Sequence, residues 1–447
     1  MGIISALGSD IEEFWQNCLD DVSVVKPIPE QWRKYSDFQS TLWSPLPAID
    51  YSEHGISRIE RLQHDPVALN ALCAGLQAIR AAGLDLIENS RHRDTLLVDG
   101  IDAGRAGVFM GTGVGGVCTF LENYTCQTHA TGKRALQSLL DSGELAPEYE
   151  GQLHSVMDTM VHPPRMHPMV VAMMMPNTVS SSLGIKFSLH GQNRLYASAC
   201  AAGTVAIGQA FQSIRSGEVD FALAGGSEYL HDRYGGLFRG FDIAGTLISD
   251  CSCPEQANRP FDEARSGFLF SQGGSAVLVL EDIESARRRD APILAEIIGY
   301  GESFDANNAM ALSEDGAGIS RMIEMALMDA GINQGDVDYI NTHGTGTPVN
   351  DAVEASVIER MFDRDTLINS TKSLLGHTIG ASGAMEAVVA ALSIRDQTTH
   401  ICHNLENPIA DLNFVRTRGS LYIDTVLSQS FAFGGHIAGI LLRKCRY

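Results

Sequence analysis

The sequence predicts an α/β protein made of two similar layered halves. Short apolar runs of strand length recur along the chain, amphipathic stretches of helix length separate them, and each half sets a reactive residue just after a strand. The first clear strand is 106–110, Ala-Gly-Val-Phe-Met, followed at once by the turn Gly111-Thr112-Gly113-Val114-Gly115-Gly116. Further strands are expected at 220–226, 275–280, 294–299, 337–341 and 437–442, with helices over 203–217, 318–330 and 383–395. The seam is expected near Asn258-Arg259-Pro260-Phe261-Asp262, giving halves of 1–257 and 258–447. No long linker or low-complexity stretch intervenes, so the halves should share one body.

A chain of 447 residues with 44% hydrophobic content is ample for a buried core. Its formal charge of -22 opposes binding to nucleic acid or anionic membrane, both of which need a positive contact surface. An acidic partner would need a local basic patch. Arg58, Arg61, Arg91 and Arg93 are the candidates, with a solvated surface as the simpler reading of each. The opening Met1-Gly2-Ile3-Ile4-Ser5-Ala6-Leu7-Gly8 lacks the basic region and apolar core of a signal peptide, and no run of about eighteen apolar residues occurs. The cytoplasm is the expected compartment. Nine cysteines without a C-x-x-C pair suggest neither a disulfide framework nor a zinc ribbon, and Cys251-Ser252-Cys253 has the wrong spacing for either.

The turn at 111–116 satisfies G-x-G-x-x-G, but about a hundred residues precede it, whereas a dinucleotide fingerprint belongs to the first strand-helix unit. A tight turn with close backbone packing is expected instead, and no cofactor. Cys200 in Tyr196-Ala197-Ser198-Ala199-Cys200-Ala201-Ala202-Gly203 precedes a small-residue helix. There the unpaired amides should favour thiolate and lower the thiol pKa, making an acyl-accepting nucleophile. The other eight cysteines are expected to be buried and inert. His343 lies in the Gly/Thr loop after the strand at 337–341, and His377 in a turn opening another small-residue helix. Two histidines so placed can donate hydrogen bonds to a thioester oxygen as it becomes an enolate. Lys372 would hold a positive field nearby and Asp351, Glu354 and Glu386 would orient the cations, although surface ion pairing is an equal reading of each.

These stretches resemble the β-ketoacyl synthases, condensing enzymes of fatty-acid and polyketide synthesis with the thiolase fold. The resemblance covers nearly the whole chain. It is carried by Ser198-Ala199-Cys200-Ala201, by His343-Gly344-Thr345-Gly346-Thr347-Pro348 with Asp351 and Glu354, by Lys372 to His377 with Glu386, and by Phe431-Ala432-Phe433-Gly434-Gly435. It implies an α-β-α-β-α layering and a decarboxylative Claisen condensation. Cys200 would take an acyl chain from an acyl carrier protein, and His343 and His377 would assist decarboxylation of a malonyl thioester on the carrier. The amides of Cys200 and Phe433 would form an oxyanion hole, with Phe433 also gating the acyl tunnel and Thr345 and Thr347 in support. A homodimer is implied, a heterodimer with a sister subunit being the variant. The other readings are acyl transfer or decarboxylation without condensation, a chain-length-determining partner of the same fold, and, more weakly, a cysteine protease.

Some positions depart from the family pattern. The family opens with an apolar strand ending Thr-Gly ahead of a stretch like Met1 to Gly8, so either the start is truncated or the sheet lacks a strand. Ser266 stands for a usual aspartate, Gln272 for a glutamate, and Ala432, His436 and Ile437 break the usual frame. An active but divergent synthase is expected. Met157, Met160, Met166, Met169, Met173, Met174 and Met175, with His162 and His167 among them, are expected to fill apolar space at a subunit contact or acyl channel, not to bind metal.

Overall fold

The structure, a computed structural model, describes residues 1–160, 163, 165–249 and 253–446. His162 and Cys251 lie outside the described residues. In chain order the strands of the first sheet are β1 (Gly2–Ile4), β2 (Ala106–Gly111), β3 (Asn193–Tyr196), β4 (Phe221–Tyr229) and β5 (Gly273–Glu281). Those of the second are β6 (Glu296–Phe304), β7 (Tyr339–Asn341), β8 (Leu367–Asn369), β9 (Asn413–Phe414), β10 (Thr425–Phe431) and β11 (His436–Arg443). Every expected strand is present, several of them longer than the apolar run that announced them.

The sheets repeat one topology. The first runs β1-β5-β4-β2-β3 and the second β6-β11-β10-β7-β8, with β9 added at the edge. In each, the first three strands pair antiparallel with their neighbours and the remaining core pairings are parallel: Gly225 faces Val277 and Val108 faces Leu223 in the first, Ser428 faces Ile440 and Ile340 faces Leu427 in the second. Because β5 pairs with β1 and β4, the first sheet extends past residue 257. The seam expected at 258 therefore falls ahead of a strand of the first half, and a division keeping both sheets whole lies between Glu281 and Glu296. The segment around Asn258 instead docks on the second half: Asn258 donates to the carbonyls of Lys372 and Ser373, and Asp262 accepts from the amides of Glu406 and Asn407.

Six helices complete the layers: α1 (Pro66–Ala81), α2 (Thr178–Lys186), α3 (Ala202–Arg215), α4 (Ala317–Ala330), α5 (Pro348–Met361) and α6 (Ser382–Asp396). Helices α3 and α6 lie between the sheets, α1 and α2 cover the outer face of the first, and α4 lies on the outside of the second with α5 beside it. The order is α-β-α-β-α. Helix α1 was not evident as a periodic pattern because it is apolar on nearly every face, and it is buried over almost its whole length. Helices α3 and α6 meet through glycine: a Cβ on Gly383 would sit 2.0 Å from Thr204 Oγ1, and one on Gly203 2.8 Å from the Ala384 amide nitrogen. That close approach brings the beginnings of both central helices together.

Candidate active site

Cys200 sits in the single turn Ala199–Ala201 between β3 and α3, and His377 in the turn ahead of α6. In both turns an L residue adopts positive φ, Ala199 at +45° and Ile379 at +49°, a conformation held only where the surroundings enforce it. The crossing of α3 and α6 then sets His377 Nε2 3.0 Å from Cys200 Sγ. The backbone of His377 is clamped separately, its amide donating to Leu269 O at 2.8 Å. His343, at the end of β7, faces His377 edge-on with ring centroids 5.4 Å apart. Phe268 and Phe431 close over the two rings, at 5.2 Å from His377 and 5.3 Å from His343.

The hydrogen bonds assign the imidazole protons. Ile379 N–H donates to His377 Nδ1 at 3.2 Å and the Ser382 hydroxyl lies 3.0 Å from the same nitrogen; an amide only donates, so Nδ1 is the acceptor and the proton lies on Nε2, aimed at the sulfur. Lys372 Nζ, which only donates, lies 3.2 Å from His343 Nδ1, leaving that ring's proton on Nε2 as well. Both imidazoles are held well below their ordinary 6.5, by burial first and the Lys372 charge second. They are therefore neutral donors. Lys372 also donates to Glu386 Oε1 at 2.5 Å, with both side chains almost fully buried. Burial raises the Glu386 carboxyl and the Lys372 charge opposes the rise.

The acids expected to orient cations divide. Glu386 pairs with Lys372 and Asp351 with Arg265, Arg265 Nε lying 3.8 Å from Asp351 Oδ2, while Asp351 and Glu354 also hold backbone. Glu354 accepts from the amides of His343 at 2.7 Å and Gly344 at 2.8 Å, and Asp351 from Phe261 at 2.7 Å and Thr345 at 3.1 Å. The surface reading of Lys372 and these acids is thus overturned. Thr345 and Thr347 share a hydroxyl hydrogen bond of 2.8 Å at the wall of a cavity of about 270 Å³. Cys200, His343, His377, Phe268, Met310 and Phe433 also line it.

The thiol departs from expectation. Burial pushes Cys200 up to about 11, outweighing the Lys372 charge and the hydrogen bonds from the amides of Phe433 and Cys200 itself. It rests as a thiol, and its anion has three N–H donors waiting. The other described cysteines are not uniformly buried: Cys253 is exposed and Cys445 half-buried. Of the methionines, Met157 and Met173 are buried, while Met166, Met169 and Met175 are exposed on the single chain, as residues of a subunit contact would be. Among the described residues, no group of three His, Cys, Asp or Glu side chains is placed to hold a metal ion, and no helix is long and apolar enough to cross a membrane. At positions that the resemblance marked as unusual, Ser266 accepts the Ser249 amide at 2.9 Å, Gln272 accepts the Leu46 amide at 3.0 Å, and the Ala432 amide donates to His436 O at 2.8 Å.

Comparison with known proteins decides the family. Residues 1–285 match the β-ketoacyl synthase N-terminal domain and residues 294–406 its C-terminal domain. The chain belongs to the β-ketoacyl synthase family. It is 32% identical to the 3-oxoacyl-[acyl-carrier-protein] synthase 2 of Staphylococcus aureus (strain COL), over 99% of this chain and 97% of the relative. Identity is also 32% to the protein of that name in Synechocystis, over 99% and 96%. Among solved structures, it resembles a type II polyketide ketosynthase bound to a hexaketide in complex with its acyl carrier protein, with 26% identity, TM-score 0.80, and coverage of 100% and 98%. A β-ketoacyl synthase from Burkholderia phymatum STM815 gives 28% identity and TM-score 0.79 at the same coverage. The layered architecture above is the thiolase-like fold of these synthases, and the chain is a condensing enzyme of the acyltransferase class.

Two features beside the synthase site lie outside every motif named above. The Ile379 amide depends on a backbone turn that a sequence pattern does not encode. Glu228, buried next to that turn, is a lone acid at the end of the apolar strand Phe221–Tyr229, and an unpaired charge in such a run is the signal that would have found it.

Proposed function

We propose that this synthase condenses a Cys200-bound acyl group with malonyl-loaded acyl carrier protein. The observation that carries the reading is the cluster of one thiol and two neutral imidazoles, each ring with its Nε2 proton directed into one cavity. Acyl transfer forms the Cys200 thioester, and the proton leaving the thiol ends on the departing carrier thiolate. The amides of Cys200 and Phe433, which already converge on the sulfur, then face the thioester oxygen. Phe433 is half-buried at the cavity and gates the acyl tunnel.

Malonyl thioester next enters beside the imidazoles. Its C–C bond to the carboxylate breaks, carbon dioxide leaves, and the electron pair becomes an enolate whose oxygen takes hydrogen bonds from His343 and His377. The enolate carbon attacks the acyl carbon, the C–S bond to Cys200 breaks, and the sulfur anion takes up a proton. Lys372 keeps His343 in its donor tautomer and Glu386 keeps Lys372 in place. Asp351 and Glu354 fix the loop backbone, and Thr345 and Thr347 form the wall the malonyl arm meets.

The partners follow from the same reading: acyl- and malonyl-loaded carrier protein, and a second copy of this chain. Support for the homodimer comes from β3. One edge of that strand pairs with β2, and Asn193 and Arg194 on it are exposed. The neighbouring α2 and the segment Val170–Met174 add the exposed Val171 and Ile185. A sister subunit in the second position is the other outcome, and sedimentation of the purified chain separates the two. The cytoplasm is the setting proposed for it.

Product mass spectrometry with a panel of acyl carriers and malonyl carrier tests the function. A β-ketoacyl carrier two carbons longer than the donor supports it. Acyl exchange or acetyl carrier alone would replace condensation with one of the simpler activities.

A further inference from the structure

The glycine turn Gly111-Thr112-Gly113-Val114-Gly115-Gly116 follows a strand and leads into the helix Val117–Asp141, as an anion-binding loop does. Its anion is internal. Glu228, next to the last residue of β4, is fully buried and directs its carboxylate into the loop. Gly113 N–H donates to Oε2 at 2.5 Å, Val114 N–H to Oε1 at 3.3 Å, and the Thr112 hydroxyl to Oε1 at 3.1 Å. A fourth donor arrives from the other half of the molecule: Gly380 N–H to Oε2 at 3.0 Å.

The fit depends on both glycines. A Cβ on Gly113 would lie 2.6 Å from Glu228 Oε2 and 2.7 Å from Ile379 Cγ2, and one on Gly380 would lie 2.4 Å from the Gly113 nitrogen. The carboxylate thus pins the residue that follows Ile379, whose positive φ points its own N–H at His377 Nδ1. Burial pushes Glu228 up to about 7 while these four donors pull it back.

We propose that Glu228 is a positioning residue for condensation: bridging the halves, its carboxylate holds the Ile379–Gly380 turn, whose amide, together with the Ser382 hydroxyl, keeps the His377 proton on Nε2. This rests on the donor role given to His377 above. Glu228 touches neither sulfur nor imidazole, and its charge disfavours the Cys200 thiolate. Positioning and charge therefore pull the two half-reactions in opposite directions.

Glu228→Gln separates them. The variant keeps the shape, removes the charge, and turns an NH₂ toward amides that need an acceptor. Acylation of Cys200 by an acyl carrier is expected to hold its rate or rise. Decarboxylation of malonyl carrier should fall about 10- to 100-fold in kcat with KM little changed, as for a displaced catalytic group. Glu228→Asp, in case the first variant does not fold, keeps the charge but is too short to serve both sides, and should lower decarboxylation by several-fold. ¹⁵N-histidine NMR reads the tautomer directly: a single Nε2–H form of His377 in wild type, a mixture in the variants. A parallel fall of both half-reactions, wild-type decarboxylation in the variants, or an unchanged His377 tautomer overturns the proposal. Wild-type protein that neither acylates nor decarboxylates overturns the condensation reading instead, and the NMR still decides the positioning of His377.

Discussion

Ile379 N–H donates to His377 Nδ1 across 3.2 Å, beside the Ser382 hydroxyl at 3.0 Å, and this makes Nδ1 an acceptor. With Nδ1 occupied, Nε2 is a donor 3.0 Å from the sulfur, so the ring stabilises an anion instead of removing the thiol proton. A protease-like pair needs the opposite tautomer.

Loss of either imidazole separates the half-reactions. His343→Ala and His377→Ala should each lower malonyl decarboxylation by about 10²- to 10³-fold, the usual cost of removing one oxyanion donor. Acylation of Cys200 should survive in His343→Ala, whose ring is not bonded to the sulfur. Stopped-flow measurement of carbon dioxide release and intact-protein mass spectrometry read the two steps.

Lys372→Met removes the charge that, after burial, holds both imidazoles down. Their values rise, so the acid limb of decarboxylation moves to higher pH. In wild type the unfolded chain binds these protons more tightly than the folded one, so stability falls as pH drops below the ordinary 6.5. The variant also leaves Glu386 buried without its cation, a loss of about 3–5 kcal/mol in urea denaturation at neutral pH.

Cys200 should alkylate slowly at neutral pH. With its thiol near 11, the iodoacetamide rate should rise about tenfold per pH unit through the alkaline range. A plateau reached by pH 7 would instead mean the depressed thiol that the helix start alone suggests.

Gly383→Val drives the central helices apart, because its Cβ would fall 2.0 Å from Thr204 Oγ1. Overpacking of this kind costs about 1–3 kcal/mol or more. A lowered melting temperature with loss of acylation and decarboxylation together is expected.

Much of this was legible in sequence because the reactive residues sit at strand ends and in glycine-rich turns. Cys200, His343 and His377 stood out individually, and their convergence follows from the repeat of one topology in both halves. What local pattern could not give was environment. The start of α3 pointed to an acidic thiol, but burial by the opposite half wins. Asp351 reaches the cation Arg265, but Glu354 serves the amides of His343 and Gly344, and Asp351 adds those of Thr345 and the distant Phe261. The seam was misplaced because β5 follows a segment that docks on the second half while β5 itself completes the first sheet.

The most direct measurement is condensation by Cys200→Ala, assayed beside wild type with acyl and malonyl carriers. Wild type should acquire an acyl mass on the Cys200 peptide and release β-ketoacyl carrier. The variant should acquire none and condense at least about 10³-fold more slowly, while both imidazoles continue to decarboxylate malonyl carrier. Condensation by Cys200→Ala at the wild-type rate would contradict the account.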